Sequence, residues 1–241
     1  MSHLLTRFLG AGLVFLLGGV FTPTGPRKPD LQGTWTNATQ TWLERIVENE
    51  TLTAEETAAY EQVALRPWRG ELFSEPGLDV IRINGVARSS IIIDPPNGRI
   101  PPRTETGKKR LTETAARLGK FGEFDHPELR PLAERCLVSF GSNAGPPMLP
   151  NYHYNNNYTI AQSKDDVLIL TEMNHDARII RLGATTHLPK HFRPWFGDSI
   201  GRWEGDTLVV ETTNIHPAQL AQTQSLWAYR GASENLKVTE R

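Results

Sequence analysis

The chain has 241 residues, of which 38% are hydrophobic and 22% charged, and its net charge at pH 7 is −1. This length and composition indicate a folded protein with one main domain. Lys and Arg are scattered and balanced by Asp and Glu, so no basic surface is available and we expect no nucleic-acid partner. The single cysteine, Cys136, excludes an intrachain disulfide and is expected to be a small buried apolar residue.

The N-terminus has the pattern of an export signal. Arg7 precedes an uncharged apolar run at 8–21, which is too short to span a bilayer comfortably and is followed by the helix-breaking segment 22–26. We therefore expect an exported protein, periplasmic or extracellular, with residues 1–28 as a signal peptide or an N-terminal anchor. If it is not cleaved, this segment is the only contact with a membrane that we expect.

Residues 29–241 are expected to form a single β-rich domain that is truncated at its C-terminus, because a predicted strand at 235–241 ends without a turn. A first strand is predicted at 30–36. Helices are predicted at 54–64, where Thr53 and Glu56 have the spacing of a capping box, and at 106–118. Between them, Asn84-Gly85 predicts a hairpin turn.

From residue 158 onward, apolar and polar residues alternate, as is typical of half-buried strands. Runs at 158–163, 167–173 and 177–182 predict a three-stranded antiparallel meander, and the turn at Glu204-Gly205-Asp206 predicts a further hairpin. The expected fold class is mainly β: an antiparallel, barrel-like sheet with two or more helices inserted in the N-terminal half. A closed sheet would remove exposed edges.

Residues Gly197 to Gly201 fit the G-x-S-x-G pattern of many serine hydrolases. That pattern requires a buried strand before the serine and a helix after it, whereas Ser199 follows Pro194 and precedes a predicted hairpin. We expect Ser199 to be a turn residue and not a nucleophile.

The turn around His175 contains the main candidate site. A hairpin centred on His175 would place Glu172 opposite Arg178 on one face of the sheet. If that face is the interior, the two charges must be paired, and the pair would orient a ligand at the barrel mouth. The alternative is a structural ion pair at the rim. The candidate catalytic residues are Glu172, His175 and Asp198, and the candidate ligand-binding residues are Arg178, Tyr152, Tyr154 and Arg202.

The pattern predicts no metal site and no cofactor. Pro189 lies between His187 and His191, so a helical face cannot present both histidines to a metal ion. A metal site assembled from distant residues is the alternative left open; its ligands would be His175, His187, His191 and Glu172.

Several motifs resemble a family of secreted bacterial proteins for which no activity is established. The main ones are Glu172-Met173-x-His175-x-x-Arg178 and GDSxGxWEGDTL, which runs from Gly197 to Leu208. The resemblance covers most of the chain after the leader and implies no catalytic residues. It also implies a chain that continues past residue 241.

A second, shorter motif is similar to one of the lipocalin-like proteins. Gly33-x-Trp35 in the predicted first strand matches their G-x-W pattern. This resemblance implies a β-barrel with Trp35 at its base, facing an arginine from a late strand such as Arg241.

Three functions are consistent with these features. The first is an exported protein that binds a small apolar or aromatic ligand at the mouth of a β-barrel. The second is a cofactor-independent hydrolase, lyase or isomerase that uses Glu172 or His175 as acid and base. The third is a structural protein of the envelope. The sequence favours the first and does not decide whether the protein is an enzyme.

Overall fold

The computed structural model describes residues 28–64, 79–139, 144–149, 155–221 and 232–241. Within these residues the protein is mainly β, as predicted. The candidate residues Tyr152 and Tyr154 and the predicted export segment up to residue 27 lie outside the described part of the chain. Among the described helices, none is both long enough and apolar enough to cross a membrane.

Seven strands form one sheet that curls into half a barrel. In their order across the sheet, these strands are β1 (Gly33–Thr36), β4 (Asn157–Gln162), β5 (Asp166–Thr171), β6 (Ala177–Leu182), β7 (Asp198–Glu204), β8 (Thr207–Thr213) and β9 (Val238–Glu240). In the described sheet β1 and β9 form the two edges, so the closed barrel stays a prediction.

The remaining elements lie mostly between β1 and β4 in the chain. They are α1 (Ala54–Ala64), the two-residue strands β2 (Arg82–Ile83) and β3 (Val86–Ala87), α2 (Glu105–Leu118) and, after β8, the short helix α3 (Pro217–Ala221). The capping box of α1 is confirmed: Glu56 N–H donates to Thr53 Oγ1 at 3.1 Å, and Thr53 N–H donates to Glu56 Oε2 at 2.8 Å.

The predicted meander is confirmed, since β4, β5 and β6 pair antiparallel in sequence order. The hairpin of β7 and β8 is confirmed as well, with Glu204 opposite Thr207. The prediction of an entirely antiparallel sheet is wrong at one junction, because β6 and β7 are parallel. Parallel neighbours require a long connection, because the chain must return to the end of the sheet at which β6 begins. The connection 183–197 is long enough to do this.

The hydrophobic core lies on one face of the sheet, which we call the inner face. Its buried centre consists of Val167, Ile169, Ile180 and Val210, and the partly buried side chains of Met148, Tyr158, Ile160, Leu182 and Leu208 surround it. Because side chains alternate along a strand, the residues two positions from these also point to the inner face.

Residues 144–149, which we call the strap, lie against the inner face. Met148 packs on the apolar cluster, and its backbone N–H donates to Glu240 of β9 at 3.0 Å. At the other edge, the side chain of Asn37, just after β1, donates to the carbonyl of Leu149 at 2.9 Å. The strap therefore links the two edges of the half-barrel.

Cys136 corrects one expectation from the sequence. Its side chain is exposed and not buried, and its φ of 56° places it in a left-handed turn. Because Cys136 lies in a surface turn, its thiol points outward, away from the core.

Candidate functional site

Arg178 is the most buried charged side chain on the inner face, with 2% of its side chain exposed. Strand β6 places it there because Arg178 alternates with Ile180, whose side chain is in the core. Its guanidinium forms a two-pronged ion pair with Glu240 of β9: Nη1 donates to Oε2 at 2.7 Å and Nη2 to Oε1 at 3.0 Å. This pair crosses the inner face over β7 and β8.

The predicted pair of Glu172 with Arg178 does not form. In the observed register Arg178 lies opposite Ile169, and Glu172 falls beyond the end of β5. The exposed Glu172 carboxylate instead accepts from Asn157, at 3.0 Å from Nδ2 and 3.3 Å from the backbone N–H. The physical reason is the shape of the turn.

The turn between β5 and β6 is a 3-10 turn at Met173–His175, and it is asymmetric. Asn174 and His175 both have positive φ, at 60° and 54°, and Thr171 N–H donates to the carbonyl of Asp176 at 2.9 Å. This geometry shifts the pairing of β6 relative to a hairpin centred on His175. It leaves His175 exposed at the tip, so Glu172, His175 and Arg178 do not converge.

Asp176 is a carboxylate whose burial the sequence analysis did not predict. It is 7% exposed, accepts from Ser139 N–H at 3.0 Å, and also accepts from Asn174 Nδ2 at 3.3 Å. Burial raises the pKa of Asp176, and the hydrogen bonds from Ser139 and Asn174 offset only part of that effect. The available signal was alternation, since Asp176 lies two positions before Arg178 and four before Ile180.

Two further inner-face features bear on ligand binding. The Nε atom of Arg178 and the indole Nε1 of Trp203 are buried and have no hydrogen-bond partner among the described residues. Buried donors are normally paired, so unpaired ones require an explanation such as a water molecule or a ligand. They lie towards opposite ends of the inner face, since Arg178 precedes and Trp203 follows the core positions of their strands.

Ser199 is a strand residue and not the turn residue that we expected. It begins the inner face of β7, is 1% exposed, and its hydroxyl lies 2.8 Å from that of Thr212. Strand β7 begins at Asp198, which pairs with Thr213 of β8, and from Ser199 onward it pairs with β6 as well. The Ser199 hydroxyl contacts that of Thr212, and its not being a nucleophile stays a prediction.

A second polar cluster lies on the outer face around Asp198, which is 4% exposed. Its carboxylate accepts from Arg181 at 2.8 and 2.9 Å, from Leu188 N–H at 2.8 Å, and lies 2.8 Å from His187 Nδ1. Burial alone would raise the pKa of Asp198, but the hydrogen bonds from Leu188, His187 and Arg181 outweigh burial and lower it.

The same cluster extends from His187 to Glu211 and Lys237. His187 Nε2 lies 3.2 Å from Glu211 Oε1, and Lys237 Nζ donates to Glu211 Oε2 at 2.9 Å. The hydrogen bond from Lys237 is the main reason that the pKa of Glu211 is lowered. Each ring nitrogen of His187 thus faces a different carboxylate, Asp198 from β7 and Glu211 from β8.

This outer-face chain of alternating charges ties the connection 183–197 to the sheet. Asn214 strengthens the attachment by donating to the carbonyl of Leu188 at 2.9 Å. Both ring nitrogens of His187 lie within hydrogen-bond distance of a carboxylate, so this side chain is held from both sides. The cluster therefore has the geometry of a structural network.

The other predicted contacts also have different partners. The candidate ligand-binding residue Arg202 is exposed on the face opposite to Arg178, where it bonds to Glu204 at 2.7 and 3.1 Å. The Trp35 indole N–H donates to the carbonyl of Leu31 at 2.8 Å. Arg241 bonds to Glu204 at 2.8 Å, so the lipocalin-like pairing with Trp35 is not formed.

A groove of about 360 Å³ lies between α1 and the hairpin of β2 and β3. Leu52, Ala58 and Val86 contribute its apolar lining. The charged residues at this groove, Glu61 and Arg82, bond to each other at 3.2 Å near the solvent. The groove thus offers apolar surface without the buried charged anchor of the inner face.

Within the described part of the chain, His, Cys, Asp and Glu side chains do not form a group of three or more that could hold a metal ion. Comparison with known proteins found no family model, no curated protein and no solved structure that matches this chain.

Proposed function

We propose that this protein is an exported binding protein for a small apolar or aromatic molecule, which it holds against the inner face of the curled sheet. Arg178 is the polar anchor in this proposal, in place of the Glu172–Arg178 pair. In this proposal the strap and the two edge strands complete a barrel-like enclosure. The helices α1 and α2 belong to a segment that is inserted in the chain between strands β1 and β4.

The observation that supports this function is the buried guanidinium beside the apolar cluster of the inner face. Arg178 lies opposite Ile169 and beside the cluster that Met148 covers, and its Nε atom has no partner among the described residues. Small-molecule sites combine an apolar lining with a few fixed polar groups that orient the ligand. Arg178 and its neighbours have that composition.

The acid–base alternative has less support. Glu172 and His175, which would carry it, are exposed at a hairpin tip and do not approach each other or Arg178. Export is supported by the charged and apolar pattern of residues 7–21 and by the resemblance to secreted bacterial proteins.

Mass spectrometry of molecules that co-purify with the full chain tests the proposal. The protein is expressed in a bacterial host and recovered from the exported fraction under native conditions, and small molecules are then extracted from it. We expect one apolar or aromatic compound to be enriched over a mock purification. A protein confined to the cytoplasm, or a folded exported protein without an enriched compound, would contradict it.

Two Arg→Lys variants form a matched pair that places the compound on the protein. Arg178→Lys keeps the charge but loses the fork and Nε, so we expect loss of the compound. Arg202→Lys makes the same change on the outer face and should retain it. A second inner-face variant, Met148→Ala, should also reduce retention, and full retention in both inner-face variants would rule out this site.

A further inference from the structure

The contacts of Glu240 have the form of a carboxylate-binding site. Three donors converge on its two oxygens: Nη1 and Nη2 of Arg178, at 2.7 and 3.0 Å, and the backbone N–H of Met148, at 3.0 Å. A planar guanidinium that binds both oxygens, with a backbone N–H beside it, is an arrangement by which proteins recognise free carboxylates. Here the carboxylate belongs to the chain itself.

The two partners of this pair are held very differently. Arg178 lies on β6, between two paired strands, and 2% of its side chain is exposed. Glu240 lies on β9, a three-residue edge strand that pairs only with β8 in the described sheet, and 16% of its side chain is exposed. The Glu240 side chain is therefore the less enclosed of the two, and a rotation of this side chain away from Arg178 is the smaller change.

The burial of Arg178 decides what is able to replace Glu240. A buried charge that loses its partner is strongly destabilising, so a neutral molecule is a poor substitute. A second carboxylate would keep the guanidinium paired and would accept from Met148 N–H as well. Exchange of one carboxylate for another is the low-cost change at this position.

We propose that Glu240 occupies the site at which the ligand's own carboxylate binds, so that the protein recognises an apolar or aromatic carboxylic acid that displaces Glu240 from Arg178. This inference rests on the proposed binding function. The apolar body of the acid lies along Val210, which pairs with Glu240, and against Met148 of the strap.

Calorimetric titration with benzoate tests this inference, and benzyl alcohol serves as the uncharged analogue with the same ring. We expect the full chain to bind benzoate and not benzyl alcohol. Glu240→Gln removes the competing charge and should bind benzoate more tightly. When Glu240 leaves Arg178 free about one tenth of the time, the unmodified chain binds benzoate about tenfold more weakly than the open site does. We therefore expect Glu240→Gln to raise the benzoate affinity by about tenfold or more.

Glu204→Gln is the matched control, since Glu204 is an exposed carboxylate that also bonds to two arginines, Arg202 and Arg241. Its benzoate affinity should equal that of the unmodified chain. If Glu240→Gln does not fold, Glu240→Asp keeps the charge, shortens the side chain and should give a smaller gain.

Two outcomes would overturn the inference. One is no benzoate binding by either the unmodified chain or the folded Glu240 variant, and the other is equal binding of benzoate and benzyl alcohol. Either result, together with a neutral co-purified compound that Arg178→Lys loses, would leave the binding function in place and reject only the carboxylate exchange. An absence of any co-purified compound would reject the binding function itself.

Discussion

Asp198 joins three parts of the molecule through one buried carboxylate. It begins β7, receives both Arg181 contacts from β6, and holds His187 and the Leu188 N–H of the preceding connection. Each of its four hydrogen bonds comes from a donor. An amide at this position would bring an NH₂ group against at least one of those donors.

We therefore expect Asp198→Asn to lower the free energy of unfolding at neutral pH by about 2 kcal/mol, the range for hydrogen bonds to charged groups. Chemical denaturation followed by circular dichroism measures this difference. Glu204→Gln removes an exposed carboxylate with two arginine partners, so it should lower the free energy of unfolding by clearly less than Asp198→Asn does. Equal losses in the two variants would show that burial of Asp198 adds nothing.

The sequence identified several residues of the polar clusters but not the partners that they bond to. Arg178 was chosen as the expected partner of Glu172 in a hairpin centred on His175, and the structure buries it for a different reason, its alternation with the core residue Ile180. Its partner Glu240 is 62 residues away in the chain, and no spacing rule connects them. Asp198 was identified, but its partner His187 was not assigned to it, because the connection 183–197 has no regular repeat.

At the scale of the strand, Gly201 allows β7 to lie between β6 and β8 on the inner face. A Cβ atom at this position would lie 2.7 Å from Ile180 Cγ2, 3.0 Å from Leu182 Cδ2 and 3.3 Å from Leu208 Cδ1. These three side chains occupy the space that a larger residue would need. Glycine is thus required here for packing and not for a turn.

Gly201→Ala should therefore lower the free energy of unfolding by about 1–3 kcal/mol, the usual cost of an extra methyl group in a packed core. Combining it with Ile180→Ala relieves the closest contact, so the double variant should lose less than the sum of the two single variants. Thermal or chemical denaturation of the four proteins measures the coupling. Additive losses would show that the Ile180 contact does not limit the space at Gly201.

The register of β5 and β6 shows how one turn decides an element's neighbours. Alternation predicted both strands, but the 3-10 turn at Met173–His175 decided that Arg178 pairs with Ile169. Asn174 and His175 both have positive φ, a conformation that these residue types tolerate but do not require. The residue types of the turn therefore do not specify its shape. The two strands were therefore predictable, whereas the partner of Arg178 and the face that it shares with β5 were not.

For the whole molecule, the carboxylates have opposite effects on the pH dependence of stability. The pKa of Asp198 is lowered in the folded state, so its contribution is present above the pKa of the unfolded chain and is lost as pH falls through the folded pKa. Glu211, whose pKa is also lowered, has the same sign. Burial raises the pKa of Asp176, so its contribution is present in acid and is lost as pH rises through the folded pKa.

Unfolding free energies measured between about pH 3 and pH 7 test these signs, since ordinary aspartates titrate near pH 4. The destabilisation by Asp198→Asn should shrink as pH falls, because the unmodified chain loses the same interaction. Asp176→Asn should become more favourable relative to the unmodified chain as pH rises. Parallel pH curves for all three proteins would contradict both assignments.

The sequence by itself determined the mainly β class, the meander of β4 to β6, the hairpin of β7 and β8, and the capped start of α1. Each of these depends on interactions between residues close in the chain, so alternation, turn residues and capping patterns predict them. Only the tertiary structure decided the parallel pairing of β6 with β7, the curl of the sheet and the Arg178–Glu240 pair. These depend on where long connections bring distant strands, and the physical cause is packing across the whole inner face rather than any local pattern.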